Sequence, residues 1–197
     1  MNKIKEIIIG TNNEGKYKEI CALLPSKITK HSVKKFNIPS PKETGNTYAD
    51  NSIIKAKYYS EKTNLICLAD DSGLEIDVLN KEPGVYSSRW AEKGKNFDTA
   101  ISKVYEELKK VNVDWSKKII ARFVCNLSIW WPEGKFCSYA GEIEGKISSK
   151  KRGIKGFGYD PIFIPNGHKE TFGEMEPKLK MSIDHRFIAY SRIENFF

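Results

Sequence analysis

The chain has 197 residues, of which 40% are hydrophobic and 29% are charged, and Trp and Tyr occur throughout it. This composition is that of a globular rather than a disordered protein, and the length suits a single well-buried domain spanning residues 1–197. Lys and Arg outnumber Asp and Glu by 33 to 25, which gives a formal net charge of +8. The charge favours anionic partners such as nucleotides, nucleic acid or acidic lipid, although dispersed lysines are equally typical of a solvated surface.

Neither a membrane segment nor a secretion signal is predicted. No apolar run approaches the roughly 18 residues that a membrane helix needs, and the apolar core of MNKIKEIIIGTNN is too short for a signal peptide. We therefore expect a cytoplasmic protein with no membrane partner. The cysteines form no C-x-x-C pair and lie far from the histidines in sequence, which argues against a zinc site and a disulfide framework. They are Cys21, Cys67, Cys125 and Cys137.

The first part of the chain alternates short apolar runs with helical patterns. Pro25 ends the first helical pattern, and Thr47 and Asp50 have the spacing of a capping box before the second. The predicted elements are a strand at EIIIG, a helix in NEGKYKEICALLP, a possible strand at HSVKKF, a Pro-rich loop and a helix at SIIKAKYYSEKT.

Two strand patterns surround a pair of adjacent acids in the middle of the chain. LICLAD is typical of a short apolar strand that ends at Asp70 and Asp71, and LEIDVL alternates like a second strand. Strands disfavour Asp, and adjacent like charges repel unless a cation lies beside them. Ser72 and Gly73 would then let the chain bend away from the acids.

The rest of the chain predicts one helix, two long strands, a short strand and a closing helix. Asp98 is expected to cap the helix that carries Ile101, Val104, Tyr105 and Leu108. The later elements are a central strand at KKIIARFVCNLSIWW, its antiparallel partner KFCSYAGEIEGKIS, a turn into a strand at GFGYDPIFIP and an amphipathic helix at HRFIAYSRIENFF. These elements predict an α/β fold with a mixed sheet and flanking helices.

The first strand-turn-helix segment, IIIGTNNEGKYKEI, is a possible phosphate site. A helix N-terminus presents unpaired backbone N–H groups and positive dipole charge, and Lys16 adds a full charge in the first turn. The segment does not match a Walker A loop. Taken alone, the segment is explained more simply by an ordinary helix capped by Asn13.

The acid pair adds a possible metal site. Magnesium is usually held by one or two carboxylates, water and the phosphates of the substrate, so Asp70, Asp71 and an acid such as Glu43 would suffice. The alternative is a solvated surface turn.

Two later segments offer groups for a base or a phosphate. Glycines flank Phe157, so its ring is available to a base, unless Phe157 and Phe163 are simply core residues of a bulged strand. KMSIDHRF places Lys180, His185 and Arg186 near the start of the last helix, where donors suit a carbonyl oxygen or a phosphate. A His–Arg pair is also an ordinary surface feature.

Taken together, the chain resembles the inosine triphosphate pyrophosphatase family, which removes non-canonical purine nucleoside triphosphates. The motifs that carry the resemblance are GTNNEGKYKEI, ETGNTYADNSIIKA, ADDSGLEIDVLN, PGVYSSRWA, GFGYDPIF and KMSIDHR, in this order. The resemblance implies hydrolysis of ITP, dITP and XTP to monophosphate and pyrophosphate with Mg²⁺. It also implies an elongated mixed sheet with flanking helices and a long central cleft, usually in a homodimer.

The resemblance also implies roles for individual residues. Glu43 and Asp71 match the metal-site acids, with Asp71 also the proton acceptor, and Asp70 beside it is a second catalytic candidate. The remaining matches are substrate contacts: Thr11, Asn12, Asn13, Glu14, Gly15, Lys16, Lys55, Ser72, Phe157, Gly158, Tyr159, Asp160, Lys180, His185 and Arg186. The family motif usually reads Ser-His-Arg, whereas this chain has Asp184 before His185.

Base preference follows from donor and acceptor patterns. Donors from Arg186 or the backbone would pair with the 6-oxo group of hypoxanthine or xanthine and would face the 6-amino group of adenine donor to donor. Two alternatives stay open: a nucleotide hydrolase with another base preference, and a basic nucleic-acid-binding module. The second gives the acid pair no role, because the acids would repel a phosphate backbone.

Overall fold

The computed structural model describes residues 3–91 and 97–197 and shows a mixed α/β fold. No helix in these ranges is both long enough and apolar enough to cross a membrane. All four cysteines are free thiols.

The strands are β1 (Glu6–Ile9), β2 (Thr29–Ser32), β3 (Cys67–Ile76), β4 (Ile120–Trp130), β5 (Phe136–Ile147) and β6 (Phe163–Pro165). The helices are α1 (Glu14–Leu23), α2 (Tyr48–Thr63), α3 (Phe97–Lys110), α4 (Pro177–Ile183) and α5 (His185–Ser191).

One six-stranded sheet has the order β2-β1-β3-β4-β5-β6. β1 lies parallel to both β2 and β3, and Ile8 is opposite Cys67 in the second pair. β6 lies antiparallel to β5, with Gly145 opposite Pro165. The sheet is therefore mixed, which confirms the fold class that the sequence predicted.

The chain forms two compact units. The first comprises Met1–Asp71, Cys125–Gly141 and His185–Phe197, and the second comprises Ser72–Val124 and Glu142–Asp184. Strands β3, β4 and β5 each continue from one unit into the other. The expectation of a single domain over residues 1–197 stays a prediction.

In the first unit, the alternation of side chains along each strand decides which helix a buried side chain packs against. Ile7 and Ile9 of β1 and Leu68 of β3 pack in a cluster with residues of α1 and α5. Ile8, together with Cys67 and Ala69 of β3, packs on the opposite face against residues of α2. Successive side chains of a strand point to opposite faces, so even and odd positions of β3 meet different helices.

The core of the second unit is built on α3 and on aromatic residues of the sheet. Ile101, Val104 and Leu108 are buried at helical spacing, as the sequence predicted. Phe163 is fully buried with ring contacts to Phe123 and Phe172, so it is a core residue. The predicted cap at Asp98 lies in the first turn of α3, and the preceding residues 92–96 fall outside the described residues.

The expectation that a strand ends at the acid pair is wrong. β3 runs without a break from Cys67 to Ile76, so Asp70 and Asp71 lie inside it, and Ser72 and Gly73 are strand residues rather than a turn. LEIDVL therefore continues this strand as far as Ile76 and then forms a short 3₁₀ turn at Asp77–Leu79. Adjacent carboxylates are tolerated there because they point to opposite faces of the sheet.

Two other boundaries differ from the predictions. The HSVKKF strand stops at Ser32 and continues as a 3₁₀ turn at Val33–Phe36. A separate helix, α4, precedes the closing helix and begins at Pro177, a residue that suits the first position of a helix. Lys180 therefore lies in α4 rather than near the start of the last helix.

Candidate active site in the first unit

The turn before α1 is held by local hydrogen bonds. Asn13 caps the helix and accepts a hydrogen bond from the Lys16 backbone N–H at 3.1 Å. The Thr11 hydroxyl accepts from the Asn13 N–H at 3.1 Å, and Asn12 donates to the Tyr59 hydroxyl at 3.2 Å. The ordinary capped helix is therefore present, and it also fixes where the Lys16 side chain begins.

Asp70 lies on the face of β3 that meets α1 and α5. Its carboxylate is fully buried, 3.2 Å from the Lys16 ammonium and 3.2 Å from the Arg186 guanidinium. Arg186 also pairs with Glu19 of α1. Burial alone would raise the pKa of Asp70, but the nearby cations Lys16, Arg186 and Lys55 outweigh burial and lower it. We call Lys16, Glu19, Asp70 and Arg186 the buried charge cluster.

Asp71 lies on the opposite face and meets α2. Its Oδ1 is 3.1 Å from the Lys55 ammonium, which also contacts Glu43 at 2.8 Å. Its Oδ2 accepts a hydrogen bond from the side-chain amide of Asn51 at 3.2 Å. Asn51 and Lys55 stand one turn apart on α2, so both reach the same carboxylate. We call Glu43, Asn51, Lys55 and Asp71 the acid–lysine cluster.

The two aspartates have opposite electrostatic environments although they are neighbours in sequence. Burial raises the pKa of Asp71, and Glu43 and Asp70 add to that effect while Lys55 and Lys16 oppose it. Burial works against the charged form of Lys55, but the carboxylates of Asp71, Glu43 and Asp70 outweigh it and raise the pKa of Lys55. Asp70 is thus favoured as an anion, whereas the pKa of Asp71 is shifted upward.

The donor set of the acid–lysine cluster fits a magnesium ion bound together with a phosphate. Glu43 and Asp71 converge on one ammonium, so their oxygens already surround a cation, and Mg²⁺ commonly uses only one or two protein carboxylates. Within residues 3–91 and 97–197, no group of three or more His, Cys, Asp or Glu side chains could hold a metal by itself. Substrate oxygens or water would have to complete the coordination.

The second unit holds another set of predicted site residues. The Lys180 ammonium lies 2.6 Å from Asp160 and 5.0 Å from the centre of the Phe157 ring. Asp160 also accepts a hydrogen bond from the Phe157 N–H at 2.9 Å. Gly156 and Gly158, on either side of Phe157, have positive φ angles of 73° and 66°. This backbone conformation, which glycine adopts readily, lets the loop turn back so that the Phe157 N–H meets the Asp160 carboxylate.

The remaining predicted residues are less closely connected. Glu14 is exposed and pairs with Lys34 rather than with a member of either cluster. His185 is buried at the start of α5, and its carbonyl lies so close to Gly141 that a side chain there would clash. Ser72 is half-buried in β3.

Sequence reasoning missed two residues of the first unit. Glu19 lies three positions after Lys16 on α1, and Asn51 lies four before Lys55 on α2. Both spacings put the missed residue on the same helix face as a predicted contact, Lys16 or Lys55. The spacing of three or four residues is therefore the sequence signal that could have identified Glu19 and Asn51.

A mixed α/β fold that gathers lysines and carboxylates in this way is suited to bind a phosphorylated ligand together with a divalent cation. The chain belongs to the Ham1 family, whose family model matches residues 7–196. This membership confirms the resemblance that the ordered motifs indicated.

Individual relatives support the same family. The dITP/XTP pyrophosphatase of Zymomonas mobilis is 39% identical over 95% of this chain and 89% of its own length. The solved structure of a HAM1 protein from Coxiella burnetii superposes with a TM-score of 0.86 at 36% identity and covers 98% of each chain. A nucleoside-triphosphatase / dITP/XTP pyrophosphatase from Mycobacterium abscessus superposes with a TM-score of 0.74 at 32% identity, covering 95% of this chain and 98% of its own.

Proposed function

We propose that this chain hydrolyses the non-canonical purine nucleoside triphosphates ITP, dITP and XTP to monophosphate and pyrophosphate, with Mg²⁺ as cofactor. The observation that carries the proposal is the acid–lysine cluster, found in a chain 39% identical to a dITP/XTP pyrophosphatase. A polyphosphate needs its negative charge neutralised before water can attack it. Lysines and a metal held by carboxylates provide that neutralisation.

Five members of the first unit's two clusters have the following proposed roles. Glu43 and Asp71 hold the metal, which when bound would screen the phosphate charge. Lys16, in the first turn of α1, and Lys55 bind phosphate oxygens. Asp71 accepts the proton of the attacking water, because burial raises its pKa toward the range that suits a general base. Asp70 keeps Lys16 and Arg186 in place as their shared counter-ion.

The remaining predicted contacts are proposed to bind the base and the triphosphate of the substrate. Phe157 offers a ring, and Gly158, Tyr159 and Asp160 supply the loop around it. Lys180, His185 and Arg186 complete this set, and Arg186 or a backbone N–H is the proposed donor to the 6-oxo group of hypoxanthine or xanthine. The rest of the predicted set consists of the proposed triphosphate-binding turn, with Thr11, Asn12, Asn13, Glu14 and Gly15, and of Ser72 beside Asp71.

We also propose that the protein is a cytoplasmic homodimer, as the resemblance implies. Its mass in solution, measured by size-exclusion chromatography with light scattering, should be about twice the 22.5 kDa of the chain. A monomeric mass would overturn this part of the proposal.

The test is hydrolysis of ITP, dITP, XTP, GTP and ATP in separate reactions with Mg²⁺, with products separated by anion-exchange chromatography. Monophosphate and pyrophosphate should form, with ITP, dITP and XTP turned over well ahead of ATP, and a chelator should stop the reaction. Orthophosphate release would indicate another cleavage position, and fast ATP turnover would indicate another base preference. If no triphosphate is hydrolysed, salt-dependent nucleic-acid binding becomes the reading to test.

A further inference from the structure

The Asn51 side chain contacts Asp71 and the backbone of Gly45, which lies two residues after Glu43 in the same loop. Asn51 lies in the second turn of α2, whose start is fixed by a capping box between Thr47 and Asp50. Only 1% of Asn51 is exposed. A side-chain amide so deeply buried must have its polar atoms satisfied by protein groups.

The hydrogen bonds of Asn51 settle which way its amide points. The Gly45 backbone N–H lies 2.8 Å from one end, and since an N–H group only donates, that end must be the oxygen. The opposite end is therefore the NH₂ group, which donates to Asp71 Oδ2 at 3.2 Å. Lys55 contacts the other oxygen of Asp71, so both oxygens of this carboxylate are engaged from α2.

Gly45 completes the arrangement because it has no side chain. A Cβ at this position would lie 2.8 Å from the Asn51 side-chain oxygen and 3.0 Å from the Asn51 backbone nitrogen, and it would clash with Asp50. The loop can approach α2 this closely only with glycine here. Glu43 lies two residues earlier in the same loop, so the contact at Gly45 limits where Glu43 can go.

We infer that Asn51 is a positioning residue whose amide clamps the Glu43 loop to Asp71. One end holds the loop through the Gly45 N–H, and the other end orients the Asp71 carboxylate. The inference rests on the proposed function, in which Glu43 and Asp71 hold the metal. Partners that orient ligands in this way commonly change metal affinity by about 10- to 100-fold when removed.

The neighbouring Ser52 provides a matched control on the same helix. Ser52 is fully buried, and its hydroxyl joins Asn126 at 2.9 Å and Ser128 at 2.7 Å, beneath α2. Asn126 also accepts from Ser138 at 2.6 Å, so it keeps a partner when Ser52 is truncated. Ser52→Ala therefore disturbs the packing of α2 without removing a contact to Glu43, Gly45 or Asp71.

The experiment compares wild type, Asn51→Ala, Asn51→Asp and Ser52→Ala. Mn²⁺ binding to the substrate-free protein is measured by electron paramagnetic resonance, and exchange of the Gly45 amide is measured by NMR. Asn51→Ala should weaken Mn²⁺ binding by about tenfold and expose the Gly45 amide to exchange. Asn51→Asp should keep the Gly45 amide protected, because a carboxylate also accepts. Ser52→Ala should lower the melting temperature and leave Mn²⁺ affinity unchanged.

Excess Mg²⁺ should restore most of the turnover of Asn51→Ala, because the variant retains both acids. The clamp is wrong if Asn51→Ala binds Mn²⁺ like wild type, if Ser52→Ala weakens binding as much, or if wild type binds no Mn²⁺. Failure of the proposed function looks different: wild type and Asn51→Ala would still differ in Mn²⁺ binding, while neither would hydrolyse any triphosphate.

Discussion

Each unit contains a lysine that pairs with a buried carboxylate, but the two arrangements differ in how much of them solvent can reach. In the first unit, Lys55 is shared by Glu43 and Asp71, and 32% of the Glu43 side chain is exposed. In the second unit, Lys180 and Asp160 form a 2.6 Å pair in which each side chain is only 4% exposed. The Lys180–Asp160 pair is thus closed to solvent, whereas solvent reaches the Lys55 set at Glu43.

The difference teaches which charges can change partners. Asp160 is occupied by Lys180 and by the Phe157 N–H of its own loop, so its main effect is to build that loop. Lys55 divides its charge between two acids, one of which reaches solvent, so a metal ion or a phosphate can replace one contact without exposing an unpaired buried charge. We therefore expect changes in the first set to affect mainly turnover, and changes in the second set to affect stability and, through the loop around Phe157, the affinity for substrate.

The largest effect is expected for Asp71→Asn. The amide cannot take the proton of the attacking water, so turnover of ITP should fall by about 1,000-fold or more while the melting temperature stays near that of wild type. Asp70→Asn is the matched neighbour: it leaves Lys16 and Arg186 without their shared anion, so its main effect should be lower stability. Near-normal turnover of Asp71→Asn would remove Asp71 from the catalytic proposal.

Lys180→Met is expected to give the largest loss of stability. It leaves the Asp160 carboxylate buried without its ammonium partner, which should lower the free energy of unfolding by about 3–5 kcal/mol. Urea denaturation measures this change. The double variant Lys180→Met/Asp160→Asn should recover most of the loss, and a single variant as stable as wild type would show that the pair is not closed as described.

Lys55→Met tests the solvent-accessible set in the first unit, in which Lys55 is shared by Glu43 and Asp71. Removal of one cation that stabilises developing phosphate charge should lower kcat for ITP by about 100-fold. The loss of unfolding free energy should be smaller than for Lys180→Met, because Glu43 is partly solvated already. Equal losses of stability in Lys55→Met and Lys180→Met would erase the proposed difference between the two units.

Gly156→Ala should have the smallest effect on kcat. The backbone at Gly156 has φ 73°, where an L-residue is disfavoured by roughly 1–2 kcal/mol, and the new methyl group would press against the Asp160 carboxylate. We expect a loss of stability larger than that of Gly134→Ala and a higher KM for ITP, with kcat little changed. Gly134→Ala, which has positive φ and open space around it, is the control for backbone strain alone. A fall in kcat without a change in KM would contradict a role at the base.

Much of the candidate site was predictable because its parts are local. The Thr47–Asp50 capping spacing predicted the start of α2 and hence the place of Lys55 on it. The strand-turn-helix pattern predicted α1 with Asn13 at its cap. The continuation of β3 through Asp70 and Asp71 was not predictable from strand preferences, because it depends on cations that arrive from other elements.

The sequence by itself determined the starts of α1 and α2, the long β4–β5 hairpin, the mixed α/β class and the residue types of the site. Those features depend on hydrophobic period, capping spacing and turn chemistry, which act over a few residues. Only the tertiary structure decided that neighbouring aspartates serve opposite faces, and that Arg186 meets Glu19, 167 residues away in sequence. Such pairs form where the sheet places helices side by side, and no local pattern in the chain records that placement.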